Sequence, residues 1–109
     1  MKTLAVYYND TRAGLLAEHS PGRAYSFQYD RAYLDADLPA ISATLPTRED
    51  AYSADSLFPF FCNLLPEGAN RRVICRSLKI DEKDDFGLLS ALAGMDFIGA
   101  VNIRKIGDE

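Results

Sequence analysis

A dense apolar run near the middle of the chain constrains the fold more than any other feature. It extends from Leu57 to Gly68 and contains three phenylalanines and three leucines. The residue before a proline disfavours helical backbone, so a helix in this run is predicted to end or bend at Leu65. The rest of the chain must cover the run, because so much apolar surface is unfavourable in water. Four of its apolar residues have the i, i+3, i+4, i+7 spacing of one helical face: Phe58, Phe61, Cys62 and Leu65.

Length and composition predict a single folded domain over residues 1–109. The chain is 48% hydrophobic and 26% charged, the composition of an ordinary globular protein. Its net charge of −4 at pH 7 disfavours general nucleic-acid binding, which requires a basic surface. No apolar run approaches the length of about 18 residues that a membrane span needs, and the N-terminal residues become polar too early for a secretory signal. We therefore expect a soluble, cytoplasmic protein.

The first thirty residues have the alternation of an antiparallel meander. Ser20-Pro21-Gly22-Arg23 predicts a type II turn, because proline presets the first central residue and glycine adopts the positive φ of the second. Asn9-Asp10-Thr11 supplies an earlier turn through its short polar side chains. Three strands are predicted around these turns: Thr3–Tyr8 with Leu4, Val6 and Tyr8 on one face, Arg12–Ala17 with Ala13, Leu15 and Ala17 alternating, and a third with Tyr25, Phe27 and Tyr29 on one face.

The remainder predicts an α+β fold, in which a small, mostly antiparallel, barrel-like sheet carries two or three packed helices. Residues 30–38 have no decisive pattern. A favourable ion pair is expected between Glu67 and Arg71, four residues apart on a helix. A strand is predicted at Ile41–Leu45, ended by Pro46, followed by a polar surface loop at Thr47–Asp55 and a helix at Asn70–Leu78 with Ile74 and Leu78 on its apolar face. The next helix is capped by Asp84 or Asp85 and ended by Gly94, and its apolar residues are Phe86, Leu88, Leu89 and Leu92. A final strand is predicted at Ile98–Ile103.

The residue types that carry catalysis do not form a recognisable set. His19 is the single histidine, and the two cysteines, Cys62 and Cys75, lie among apolar residues, which does not make a zinc site. A Cys62–His19 nucleophile pair and a disulfide are alternatives, but buried free thiols fit a reducing cytosol better. Asp85-Phe86-Gly87 matches a kinase tripeptide without the catalytic loop and activation segment that would give it a role. We expect no catalytic, metal or cofactor site.

A basic cluster of Arg71, Arg72 and Arg76 follows the Pro66-Glu67-Gly68 turn. Any one of these arginines is most simply part of a solvated helix face. Together, beside an exposed turn, they favour an interaction edge that meets an acidic partner surface or phosphate.

Three motifs in the same order resemble the N-terminal domain of the HipA-type toxin kinases. Residues 60–68, Phe-Phe-Cys-Asn-Leu-Leu-Pro-Glu-Gly, are similar to that family's FFxNLLPEG signature. Residues 41–46, Ile-Ser-Ala-Thr-Leu-Pro, resemble its LSxSLP segment. Residues 85–89 and 99–101 resemble its DxFxLL and GAV segments. The resemblance covers nearly the whole chain.

The resemblance implies a binding role rather than an enzymatic one. In HipA-like kinases this module packs against the kinase, whereas a separate HipS-like protein supplies it in three-component systems. By resemblance, we expect a HipS-like antitoxin that binds and inhibits a HipT-like serine/threonine kinase toxin, with a HipB-like helix-turn-helix protein as a further partner in the complex. Such toxins phosphorylate aminoacyl-tRNA synthetases.

The surface expected to contact the kinase is the end of the apolar run and the residues after it. A residue that plugs an active site would ideally be large and aromatic, whereas this turn offers only Ala69 and the chain has no tryptophan. Plugging of the active site and docking that holds an inactive arrangement therefore stay equally open. The structural alternative is a subunit that bridges the kinase and the DNA-binding protein without inhibition. A truncated or degenerate remnant of a longer kinase gene is a further alternative. The predicted partner-binding residues are Pro66, Glu67, Gly68, Ala69, Asn70, Arg71 and Arg72.

Overall fold

The computed structural model describes residues 2–20, 22–93 and 101–105, which form an α+β domain as predicted. The strands in this part of the chain are β1 (Lys2–Tyr8), β2 (Thr11–Ser20), β3 (Ala24–Tyr29), β4 (Tyr52–Ala54) and β5 (Val101–Lys105). Its helices are α1 (Arg31–Asp35), α2 (Pro59–Cys62), α3 (Gly68–Leu78) and α4 (Asp85–Ala91).

The five described strands form one antiparallel sheet in the order β4-β3-β2-β1-β5. Its edge strands, β4 with three residues and β5 with five, are not paired with each other, so the sheet is open and the barrel-like closure expected from the sequence is wrong. The three-residue edge strand β4 pairs only with β3, and helices cover the apolar face of the open sheet. The described part of the chain has four helices rather than two or three, because α1 forms in the segment that had no decisive pattern.

Both predicted turns of the meander are present. Asn9 and Asp10 have φ values of 48° and 69°, as the mirror-image turn of a two-residue hairpin requires. At the second turn Gly22 has φ of 71°, and the Arg23 amide donates to the Ser20 carbonyl over 3.0 Å. The proline of this turn lies outside the described residues.

A β-bulge in β2 changes which side chains of that strand face the core, compared with the prediction. Val6 pairs with Gly14 and Tyr7 with Arg12, which leaves Ala13 as an extra residue on β2. The extra residue shifts the alternation, so Leu16 is fully buried while Leu15 is only half-buried. The predicted alternation of Ala13, Leu15 and Ala17 on one face is therefore wrong at Leu15.

One face of the sheet carries the core. Leu4, Leu16 and Phe27 are paired across three strands, and all three are buried. The predicted inward face of β3 is confirmed, since Tyr25 and Tyr29 are buried with Phe27.

The segment between β3 and α2 differs from its prediction in two places. Ile41–Leu45 is a turn with a single bridge between Ser42 and Leu45 rather than a strand, because the Leu45 amide bonds back to the Ser42 carbonyl. The buried Tyr29 hydroxyl holds this turn, accepting from the Ile41 amide at 3.1 Å and donating to the Leu45 carbonyl. The predicted loop at Thr47–Asp55 contains β4, which adds to β3 as a short edge strand.

The apolar run lies at the centre of the core, as its composition demands. Phe61 is fully buried, with its ring centroid 5.7 Å from that of Phe27 on the sheet and 6.2 Å from that of Phe58. The helix is short: α2 begins at Pro59 and ends at Cys62, consistent with the predicted end of the helical path by Leu65.

The last elements follow their predictions in part, and β5 continues to Lys105 rather than ending at Ile103. In α3 Cys75 is the buried residue, whereas the predicted apolar position Leu78 is 44% exposed. Asp84 caps α4 by accepting from the Gly87 amide at 3.0 Å. The apolar set of α4 is confirmed, with Phe86, Leu88 and Leu89 fully buried and Leu92 half-buried. The helix α4 ends at Ala91, with Leu92 as its C-cap, and so stops before the predicted end at Gly94. Gly94 itself and the first residues of the predicted last strand lie outside the described residues.

Candidate interaction surface

Residues 66–70 project from a buried anchor into solvent. Leu65 is 5% exposed and Pro66 is half-buried, whereas the four residues after Pro66 are all exposed. Gly68 has φ of +60° and no atom within 4 Å of the place where a Cβ would stand, so the backbone at the tip is open on that side. We call residues 66–70 the tip. Residues 67–70 are therefore accessible to a partner protein.

Arg71 connects the base of the tip to the start of α4. Its Nη2 lies 2.6 Å from Asp85 Oδ1, and its Nε donates to the Glu82 carbonyl at 3.0 Å. The Arg71 side chain is 19% exposed, so much of its surface is used inside the domain. Among the described residues the predicted Glu67–Arg71 pair does not form, because the guanidinium points to α4 instead.

The two other arginines of the basic cluster point outward. Arg72 and Arg76 are exposed, and neither makes an ion pair with any described residue. The structure thus separates the predicted cluster into Arg71, which joins two helices, and Arg72 and Arg76, which are accessible to a partner.

Cys62 and His19, the residues of the alternative nucleophile pair, have other partners in the structure. Cys62 and Cys75 are free thiols, with Cys75 buried. Burial raises the pKa of the Cys62 thiol, and the negative charge of Asp85, whose Oδ2 lies 3.9 Å from Cys62 Sγ, raises it further. A raised pKa keeps the thiol protonated and opposes a nucleophilic role. His19 is exposed and 2.7 Å from Ser26 Oγ.

A cavity of about 310 Å³ lies between the β2–β3 turn and the residues before α4. Glu18 is buried in its wall, where one carboxylate oxygen accepts from the Tyr25 hydroxyl at 3.0 Å and the Gly22 amide at 3.1 Å. Asp84 and Asp85 also line it, but they are used as the α4 cap and as the partner of Arg71. Glu18 is not among the residues predicted from the sequence; it pairs with Tyr25 in the register of β2 with β3, two residues after the buried Leu16.

The described residues contain neither a cluster of metal-ligating side chains nor a membrane-spanning helix. Within residues 2–20, 22–93 and 101–105, no group of three or more His, Cys, Asp or Glu side chains is placed to hold a metal ion. No helix in this part of the chain has the length and apolar character to cross a membrane.

Comparison with known proteins identifies the domain. Residues 4–104 match the family model described as the HipA N-terminal domain. Among solved structures, the N-terminal domain of HipA toxin superposes with a TM-score of 0.74 and 24% identity, covering 100% of this chain and 96% of that one. This likeness shows a shared fold.

The matched domain makes up very different fractions of the length of two relatives. The chain is 34% identical over 105 residues to putative kinase Y4mE of Sinorhizobium fredii, which covers 94% of this chain but only 24% of that protein. It is also 34% identical over 92 residues to an uncharacterized protein of Haemophilus influenzae, covering 84% of this chain and 81% of that protein. The matched domain is thus a small part of one relative and most of the other.

Proposed function

The chain belongs to the HipA N-terminal domain family, and we propose that it is a HipS-like antitoxin that binds and inhibits a HipT-like serine/threonine kinase toxin. The solved relative is named as part of HipA toxin, which supports a toxin–antitoxin context. The Haemophilus influenzae relative supports a domain that works in trans, because there the matched region makes up 81% of the protein. A HipB-like helix-turn-helix protein is the proposed third component.

The exposed tip on a fixed base is the observation that carries the proposal. Leu65, in the core beside α2, anchors one side of the tip, and Arg71 fixes the other side to Glu82 and Asp85. Residues 68–70 of the tip are the first residues of α3, and a contact segment that is ordered before binding loses less conformational entropy on docking than a flexible one. The tip therefore suits insertion next to a cleft of the kinase.

Docking near the kinase active site is the proposed mode of inhibition. The tip has no bulky aromatic side chain, and Ala69 is small, so its fit depends on backbone shape and polar groups rather than on a large anchor. Of the seven proposed contact residues, Arg71 has the role of holding the tip, while the other six face the kinase.

Co-expression with the HipT-like kinase from the same genome tests the function. We expect the chain to restore growth of cells that produce the kinase and to co-purify with it. A stable complex without restored growth would favour the bridging subunit, and the absence of a complex would overturn the proposal.

A tip variant tests the surface. Glu67→Lys, Gly68→Asn and Ala69→Glu together alter its charge and shape, and asparagine tolerates the left-handed backbone at position 68. A matched variant, Asp50→Lys with Ala51→Glu, makes similar changes at another exposed place. We expect the tip variant to lose growth rescue and the matched variant to keep it, with both variants folded by circular dichroism.

A further inference from the structure

The outward face of α3 carries an exposed apolar residue among cations. Val73 is 62% exposed, which is unusual for a large hydrophobic side chain in the described part of the chain. Ala69, Val73 and Arg76 have the i, i+4, i+7 spacing of one helical face, and Arg72 borders it. All four side chains are exposed, while Cys75 on the opposite side is buried. We call these four residues the α3 face.

Positive charge is concentrated on this helix. Four of the chain's 12 Lys and Arg residues lie between Gly68 and Ile80, and none of its 16 Asp and Glu residues does. Arg71 is used within the domain, but Arg72, Arg76 and Lys79 make no ion pair with described residues. The helix thus presents uncompensated positive charge on a protein whose net charge is −4.

From this juxtaposition we propose that the α3 face is a docking surface for an acidic patch on the kinase, with Val73 entering an apolar depression bordered by carboxylates. The inference rests on the proposed function and adds the chemistry of the partner surface. The face begins at Ala69, so it is continuous with the tip and lengthens the contact along α3.

Charge and polarity favour a protein over a nucleic acid as the occupant. An isolated apolar side chain at the centre of a cationic face suits the desolvated centre and charged rim of a protein interface. Nucleic-acid binding depends mainly on positive charge, which the excess of carboxylates elsewhere in this chain opposes.

Binding of the purified kinase, measured by calorimetry at low and high salt, tests the inference. Arg72→Glu with Arg76→Glu is expected to weaken binding about tenfold or more at low salt, with a smaller effect at high salt because ions screen exposed charges. Val73→Asp is expected to weaken binding at both salt concentrations. Arg23→Glu with Lys105→Glu, at two exposed cations outside α3, is the matched charge-reversal control and is expected to change binding little.

The outcomes separate this inference from the proposed function. Unchanged kinase affinity in the α3 variants, with loss of affinity in the tip variant, would overturn the inference alone. Absence of binding by the unaltered chain would overturn both. A fluorescein-labelled single-stranded oligonucleotide supplies the competing test: binding that disappears in Arg72→Glu with Arg76→Glu, while kinase affinity is unchanged, would assign the face to nucleic acid and contradict the inference.

Discussion

Arg71 on α3 and Asp85 in the first turn of α4 form an ion pair with 2.6 Å between Nη2 and Oδ1. The same guanidinium donates to the Glu82 carbonyl, so one side chain joins two helices and the connection before α4. Since Arg71 directly follows the tip, this pair determines how the proposed contact surface is held against the core.

Loss of the Arg71 side chain should destabilise the fold. We expect Arg71→Ala to lower the free energy of unfolding by about 1–2 kcal/mol, in the range for hydrogen bonds to charged groups and reduced by partial exposure. Arg72→Ala, the neighbouring exposed arginine, is expected to stay within about 0.5 kcal/mol of the unaltered chain. Urea unfolding measures both values, and equal losses would contradict the assigned role of Arg71.

Gly14 is required by the close approach of β2 and β3. A Cβ at this position would stand 2.2 Å from the Gln28 carbonyl oxygen, and this backbone atom cannot move aside cheaply. Gly14→Ala is expected to cost about 1–3 kcal/mol through overpacking. Gly68→Ala has no such clash and is expected to cost about 1–2 kcal/mol, from its positive φ alone. If thermal unfolding shows Gly14→Ala to be harmless, the close approach of β2 to β3 at Gly14 is wrong.

Tyr25 should make stability fall at alkaline pH. Burial, followed by the hydrogen bond and charge of Glu18, raises the pKa of Tyr25 from 10.0 to about 12. The unfolded chain therefore loses this proton first, so the stabilising contribution is complete below about pH 10 and is lost as pH rises to about 12.

Tyr25→Phe is expected to reduce, without abolishing, the slope of unfolding free energy against pH between 10 and 12. Part of the slope persists because burial also raises the pKa of Tyr29 and Tyr33. Urea unfolding at a series of pH values gives the slopes, and identical slopes would refute the raised pKa of Tyr25.

Cys62 should react slowly with alkylating reagents. Its half-buried thiol has a raised pKa and therefore little thiolate at neutral pH. We expect iodoacetamide to modify Cys62 about tenfold more slowly than a cysteine introduced by Ser77→Cys on the exposed part of α3. Mass spectrometry of peptides follows both sites, and faster reaction at Cys62 would revive the nucleophile alternative.

Local sequence patterns predicted the strands and helices that have one apolar face against the core. The meander, the Asp84 cap and the apolar set of α4 follow from short-range spacing. β4 was missed because its pairing is supplied by β3, whose free edge gives a polar segment a place to bind. The phase of β2 was wrong because a bulge at Ala13 depends on the register with β1 and leaves no mark in the alternation of one strand.

The candidate surface was predictable only in part. The proline and glycine of Pro66-Glu67-Gly68 predicted an exposed turn. The partner of Arg71 was missed because Asp85 lies fourteen residues away in sequence, beyond any helical spacing rule. Exposure of Val73 depends on which side of α3 meets the core, and Cys75 rather than Leu78 determines that side.

The decisive measurement is phosphorylation by the purified HipT-like kinase in the presence of increasing amounts of this domain. Transfer of phosphate from ATP to the kinase's protein substrate is expected to fall to background once the domain is equimolar with the kinase. The tip variant is expected to inhibit much less than the Asp50→Lys, Ala51→Glu control. Undiminished phosphorylation by a kinase that gel filtration shows to be fully bound to the domain would contradict the inhibitory role.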